Sequence, residues 1–140
     1  MTAPDRTSAS LDIEFDADSE WWWRALIDGR FLLPRCNAGH VYFPPAPYCP
    51  VCGWRGFTPV EAPPGGEVYS WVVVRWAMDA AYRGDVPYTL IAVDLDAGPR
   101  MIGRLHGAEA SPGLRVRLVT DGAASGRFAI EFVPEAGDTP

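Results

Sequence analysis

The sequence predicts a mainly-β protein in three parts: a short N-terminal helix, a small ribbon-like module and a C-terminal five-stranded barrel. Three observations carry this reading. A tryptophan-rich segment, Glu20 to Asp28, has helix start and stop signals. All three cysteines and one of the two histidines fall between Cys36 and Cys52. After the punctuation Pro63-Pro64-Gly65-Gly66, five segments rich in β-branched and aromatic residues follow, with turn signals between them and no helical period.

Each part follows from its local chemistry. Residues 1–18 have little pattern and several acids, and read as a flexible tail. Ser19 then reads as an N-cap, with Glu20 in the first turn and Gly29 just past the end. At about 100° per residue, Trp21, Trp22 and Trp23 sweep about 200° around the helix between them. So short a helix beside so small a module cannot bury all three. One reading has one or two of them covering the neighbouring module. The other has at least one meeting a partner protein, because exposed aromatic surface usually marks an interface. The three tryptophans are therefore the candidate partner-binding residues.

Helix and ribbon together are expected over 19–62. Leu32-Leu33 and Val41-Tyr42-Phe43 read as short strands around the Cys36–His40 turn, the second ended by Pro44, Pro45 and Pro47. Cys36, His40, Cys49 and Cys52 form the candidate metal set. Thiolates and imidazole suit Zn²⁺, and four such ligands complete a tetrahedral structural site. The module then reads as a rubredoxin-like zinc ribbon, too small to have its own apolar core and held by its metal. Two alternatives stay open: a ribbon that keeps buried thiols without metal, and a redox Cys49-x-x-Cys52 pair. Trp54 to Pro64 reads as a connector.

The barrel is expected over 63–136. Its strands are Glu67–Trp76, Tyr88–Leu95, Arg100–Leu105, Leu114–Thr120 and Phe128–Val133. In the fourth, Leu114, Val116 and Leu118 share one face and Arg115 and Arg117 the other. In the fifth, Phe128, Ile130 and Phe132 point inward. Five such strands suggest an OB-like barrel rather than an immunoglobulin-like sandwich, which needs about seven.

Composition narrows the function. No apolar run approaches the roughly 18 residues of a membrane span, and the polar first ten residues are no secretory signal. A cytoplasmic protein without a membrane partner is expected, and the odd cysteine count argues against a disulfide framework. The net charge is −6 and every basic residue is Arg. Nucleic-acid affinity comes largely from neutralised phosphates, and the sequence has no Arg cluster or basic tail. A single-strand-binding module is therefore the runner-up. Strand residues Arg75, Arg104, Arg115 and Arg117 are either a solvated face or bidentate contacts to a phosphate-bearing ligand. Trp71, Trp76 and Tyr82 are either stackers of a base or, more commonly for strand aromatics, core residues. No nucleophile–base pair is suggested, and His106 reads as a loop residue. No catalytic residue is assigned.

Order and motif together resemble a known family. The chain runs aromatic helix, Leu33-Pro-Arg-Cys36, Gly39-His40, Tyr42-Phe-Pro-Pro45, Cys49-Pro-x-Cys-Gly53, Gly66-Glu-Val-Tyr-Ser70, Val86-Pro-Tyr88, Ala92-Val-Asp-Leu-Asp-Ala-Gly98 and Pro112-Gly-Leu-Arg-Val116. This resembles the DUF35 family, with its helical segment, rubredoxin-like zinc ribbon and OB-fold, over about residues 20–134. The sequence departs from the family pattern at one knuckle, where Cys-x-x-Cys-Gly-His is replaced by Cys36-Asn37-Ala38-Gly39-His40. The resemblance implies a non-catalytic accessory subunit of a thiolase-fold acyl-CoA enzyme, such as a thiolase or a steroid side-chain aldolase. A MaoC-like enoyl-CoA hydratase is a further implied partner. It also implies that the barrel lies near acyl-CoA, which makes Arg75 and Arg104 the candidate CoA contacts.

Overall fold

The computed structural model describes residues 16–120 and 130–135. The first fifteen residues of the expected tail, and Phe128 of the fifth expected strand, lie outside them. Asp16 begins an ordered turn. Its carboxylate accepts the Asp18 and Ser19 N–H groups and the Ser19 hydroxyl, at 3.1, 2.8 and 2.7 Å. Ser19 precedes the helix as expected, but its side chain makes no cap bond. Asp16 organises the helix start instead, and these bonds hold its carboxyl below the usual carboxylate value.

Helix α1 spans Glu20–Ile27. It ends in a Schellman motif, Gly29 N–H to Leu26 C=O and Arg30 N–H to Ala25 C=O. Gly29 has φ of 81°, the left-handed geometry glycine adopts without penalty. Strand β1, Leu32–Arg35, follows and pairs antiparallel with β2, Thr58–Glu61. Two expectations are corrected here. Val41-Tyr42-Phe43 is not a strand, since only Val41 bridges back, to Arg35. The expected connector contains β2, whose Pro59 faces Pro34 across the pair.

The barrel is closed, in the order β3-β4-β5-β7-β6 with β6 pairing back to β3. Its strands are β3 Gly65–Val74, β4 Tyr88–Leu95, β5 Arg100–Leu105, β6 Arg115–Leu118 and β7 Glu131–Pro134. All pairs are antiparallel except β5–β7. A five-stranded barrel with this order is an OB-fold. Val68, Ile91, Val93, Met101, Leu105, Val116, Leu118 and Phe132 fill it. Gly103 lets β7 approach β5, because a Cβ there would lie 2.7 Å from Ile130 Cγ2 and 2.8 Å from Ile130 O. Arg115 ties the closure together through Asp96 on the β4–β5 turn and Glu135 beyond β7.

One core runs through helix and barrel. Trp22, Leu26, Phe31 and Leu33 belong to the same buried cluster as the barrel interior. Cys36, Tyr42 and Cys49 form a second, smaller cluster under the cysteine turns.

Candidate metal centre

Two tight turns build the site. At the first, Cys36 C=O accepts the Gly39 N–H, and Cys36 N–H donates to His40 C=O. Gly39 has φ of 92°, which closes the turn and brings His40 back over Cys36. At the second, Cys49 C=O accepts the Gly53 N–H, with φ of 73° at Gly53. In each turn a backbone N–H also points at sulfur: His40 N–H to Cys36 Sγ and Val51 N–H to Cys49 Sγ, both 3.4 Å. Such donors stabilise thiolates.

The four expected ligands come together. Their donor atoms all lie within 4.8 Å of one another. Cys36 Sγ is 3.8 Å from Cys52 Sγ and 3.3 Å from His40 Nδ1, and Cys49 Sγ is 3.8 Å from His40 Nδ1. A tetrahedral Zn²⁺ with ordinary bond lengths sets S···S at about 3.8 Å and S···N at about 3.6 Å, and these three separations lie close to those values. Burial of Cys36 works against its thiolate, but donors from His40 and Ala38 outweigh it and bring the thiol down to about 6. Cys52 moves the other way: the Trp54 N–H favours its thiolate, yet desolvation and the neighbouring sulfurs raise it. Burial, then the neighbouring Cys49 and Cys36 sulfurs, likewise raise Tyr42, whose hydroxyl donates to Ala46 C=O at 2.8 Å.

The tryptophans divide. Trp22 is 1% exposed, packed against Trp23, Phe31 and Phe43 with ring centroids 4.8, 6.5 and 5.2 Å away. It is removed from the candidate partner-binding set, because its ring is enclosed by its own chain. Trp21 and Trp23 are half-buried against the core. Trp21 stacks at 5.2 Å on Phe57 and donates its indole N–H to Asp18 C=O. Helix and ribbon are therefore joined by aromatic packing.

The two candidate CoA-contacting arginines are not brought together. Arg104 shares a sheet face with Leu90 and Val72, its guanidinium 5.8 Å over the Tyr88 ring. Arg75, just past β3, lines a cleft of about 500 Å³ with Trp71, Val73, Pro87, Thr89 and Glu109. The core expectation for Trp71 and Trp76 is overturned: Trp71 is partly exposed and Trp76 is 73% exposed. Among the described residues, β3 beyond Val68 has a paired strand on the β4 side only, and Trp76 lies past the end of the strand, so neither ring is enclosed. Sequence reasoning missed this because an open strand edge and an enclosed one share the same β-branched signature.

A knuckle pair of three cysteines and a histidine joined to an OB barrel defines a class of small ribbon–barrel proteins. Comparison with known proteins agrees. Residues 23–58 match the ChsH2 rubredoxin-like zinc ribbon domain, and residues 59–121 match the ChsH2 C-terminal OB-fold domain. A DUF35 domain-containing scaffold protein of Pyrococcus furiosus is 30% identical over 105 residues, covering 73% of this chain and 76% of its own length. The chain belongs to the DUF35/ChsH2 family. A probable enoyl-CoA hydratase alpha subunit of Thermomonospora curvata is 34% identical over 91 residues, 64% of this chain but only 28% of that protein. Among solved structures, a chain of the Ltp2-ChsH2(DUF35) aldolase superposes with TM-score 0.72 at 29% identity, covering 87% of this chain and 98% of that one. A DUF35 protein of unknown function from Sulfolobus solfataricus shares the fold at TM-score 0.59 and 11% identity, covering 85% and 86%.

Proposed function

We propose that this chain is a non-catalytic accessory subunit that assembles with a thiolase-fold acyl-CoA enzyme, with a side-chain-cleaving aldolase favoured over a thiolase. The observation that carries this reading is the likeness, at 29% identity and over 98% of its length, to the chain of the Ltp2-ChsH2(DUF35) aldolase. The relative described as a scaffold protein supports the accessory role. In this reading residues 19–62 form a rigid clamp and residues 63–136 the working barrel. Of the two candidate CoA contacts, we assign Arg104 to a CoA phosphate and leave Arg75, in the cleft beside β3, to the partner-facing surface. A second reading, a subunit beside an enoyl-CoA hydratase, rests on the Thermomonospora relative alone.

Co-expression with a thiolase-fold protein from the same genome tests the reading. A stable complex with acyl-CoA cleavage or acyl transfer that neither chain shows alone is expected. A chain that stays monomeric beside every such protein would refute it.

Zn²⁺ is the metal that the donor set suits, and Cys36, His40, Cys49 and Cys52 would hold it. It supplies a structural cross-link between the two turns. Metal analysis should give about one zinc per chain. A His40→Ala chain should lose most of its zinc and unfold at lower temperature. Full zinc with unchanged Tm would take His40 out of the site.

A further inference from the structure

The upper half of β3 breaks the pattern of the barrel. Strand β4 alternates in burial, as a strand with one covered face should. In β3 only Gly65, Gly66 and Val68 are buried, while Tyr69 through Val73 are all exposed. Yet Trp71, Val72, Val73 and Val74 are apolar on both faces of the strand. Trp76 and Met78 follow at 73% and 80% exposure, and Ile102 adds to the outer face at 64%. A strand apolar on both faces is suited to burial on both.

One edge of the same segment is also open. Strand β6 pairs with β3 only from Gly65 to Glu67, and the last bonds on that side join Val68 to Leu114 and Gly113. Beyond them, among the described residues, Ser70–Val74 pairs with β4 alone. Edge strands are normally blunted by Lys, Pro, inward charge or a cover. Ser70-Trp71-Val72-Val73-Val74 has no charged residue and no proline.

We infer that the open edge of β3 and the segment that follows it, from Trp71 to Met78, form the surface on which the thiolase-fold partner docks. The inference rests on the accessory-subunit reading and names its contact face. The chemistry favours a protein partner. Open backbone groups along about 16 Å of strand are satisfied by another polypeptide, not by one small ligand. A second copy is disfavoured, because each chain brings a net charge of −6. Between β3 and β4 the balance differs: Arg75 and Arg83 offset Asp79 and Asp85. Arg83 is occupied with the Ala77 and Met78 carbonyls. Arg75 is exposed and, among the described residues, meets no carboxylate. The complementary surface is therefore an apolar segment with a carboxylate opposite Arg75.

The test uses the complex of this chain with its thiolase-fold partner. Val72→Lys combined with Met78→Glu, and separately Arg75→Glu, should each weaken the complex about tenfold or more. All these sites are exposed, so near-ultraviolet circular dichroism and Tm of the free chain should not change. Thr58→Glu, an exposed position on the helix-and-cysteine module, should leave affinity unchanged. Hydrogen exchange should show residues 70–78 protected only in the complex. Wild-type affinity in both variants of this surface, with no protection there, would overturn the inference while leaving the accessory reading intact. The inference would also fall if the variants abolished a homodimer, or binding to phosphatidylglycerol vesicles, rather than the hetero-complex. A wild-type chain that forms no complex would refute the accessory reading itself.

Discussion

Trp22 links the helix, the ribbon and the barrel core through one side chain. Its ring meets Phe31 before β1 and Phe43 beyond the first cysteine turn. Its indole N–H is buried and, among the described residues, has no hydrogen-bond partner. Such a donor costs about 1–3 kcal/mol, so the ring is retained for its packing. Trp22→Ala should therefore lower stability by about 3–5 kcal/mol. Trp22→Phe, which removes the buried donor, should cost far less. Denaturant titration of both variants checks this, and equal losses would mean that the indole itself is required. His40 makes the complementary case at the metal centre. Its residue type and four-residue spacing from Cys36 were legible in the sequence. The Nδ1 donor and the His40 N–H···S bond were not, because they depend on backbone geometry that Gly39 permits. Trp22 was misjudged because a helical sweep gives the angle of a side chain and not what lies opposite it.

At the scale of elements, the barrel strands were the most legible part. Tyr88–Leu95 and Arg100–Leu105 were expected at the bounds where they occur, since β-branched runs ended by Asp-Ala-Gly-Pro leave little freedom. Strand β2 was hidden by Pro59, which reads as a breaker. An antiparallel pair has positions where opposed residues exchange no hydrogen bonds, and there Pro34 and Pro59 can face each other without loss. Arg115 shows how the closure is held. It donates to Asp96 at 2.8 and 2.6 Å and to Glu135 at 2.9 Å. The bond from Arg115 holds the Asp96 carboxyl below its ordinary 3.8. A depressed carboxyl stabilises the fold above its unfolded value, and that contribution is lost as pH falls through the folded value. Partial exposure and salt screening keep the effect small. Arg115→Ala should cost about 1 kcal/mol at neutral pH. Its stability should fall less steeply than wild type below pH ~4. Parallel acid-unfolding curves would remove the Asp96 pair from the account.

At the scale of the molecule, rigidity and exposure lie at opposite ends of the same chain. The helix, the cysteine turns and the lower barrel share buried aromatic and aliphatic packing. The open edge of β3 and the segment after it leave Trp71, Trp76 and Met78 in solvent. This division gives the described residues a well-packed scaffold at one end and an open apolar surface at the other. The scaffold holds the open β3 edge, the surface we assign to the partner, in a fixed place. The placement of β7 has a consequence for biosynthesis. Among the described residues it is the last strand in sequence, yet it sits between β5 and β6 and supplies both of their missing neighbours. A nascent chain emerging from the ribosome therefore holds four strands that cannot close into a barrel. Closure waits for Glu131–Pro134, a long-range pairing of the slow-forming kind. Until then the edges of β5 and β6 stay open alongside that of β3. A partner that recognises the open β3 edge on a settled barrel would thus select finished chains over partly synthesised ones.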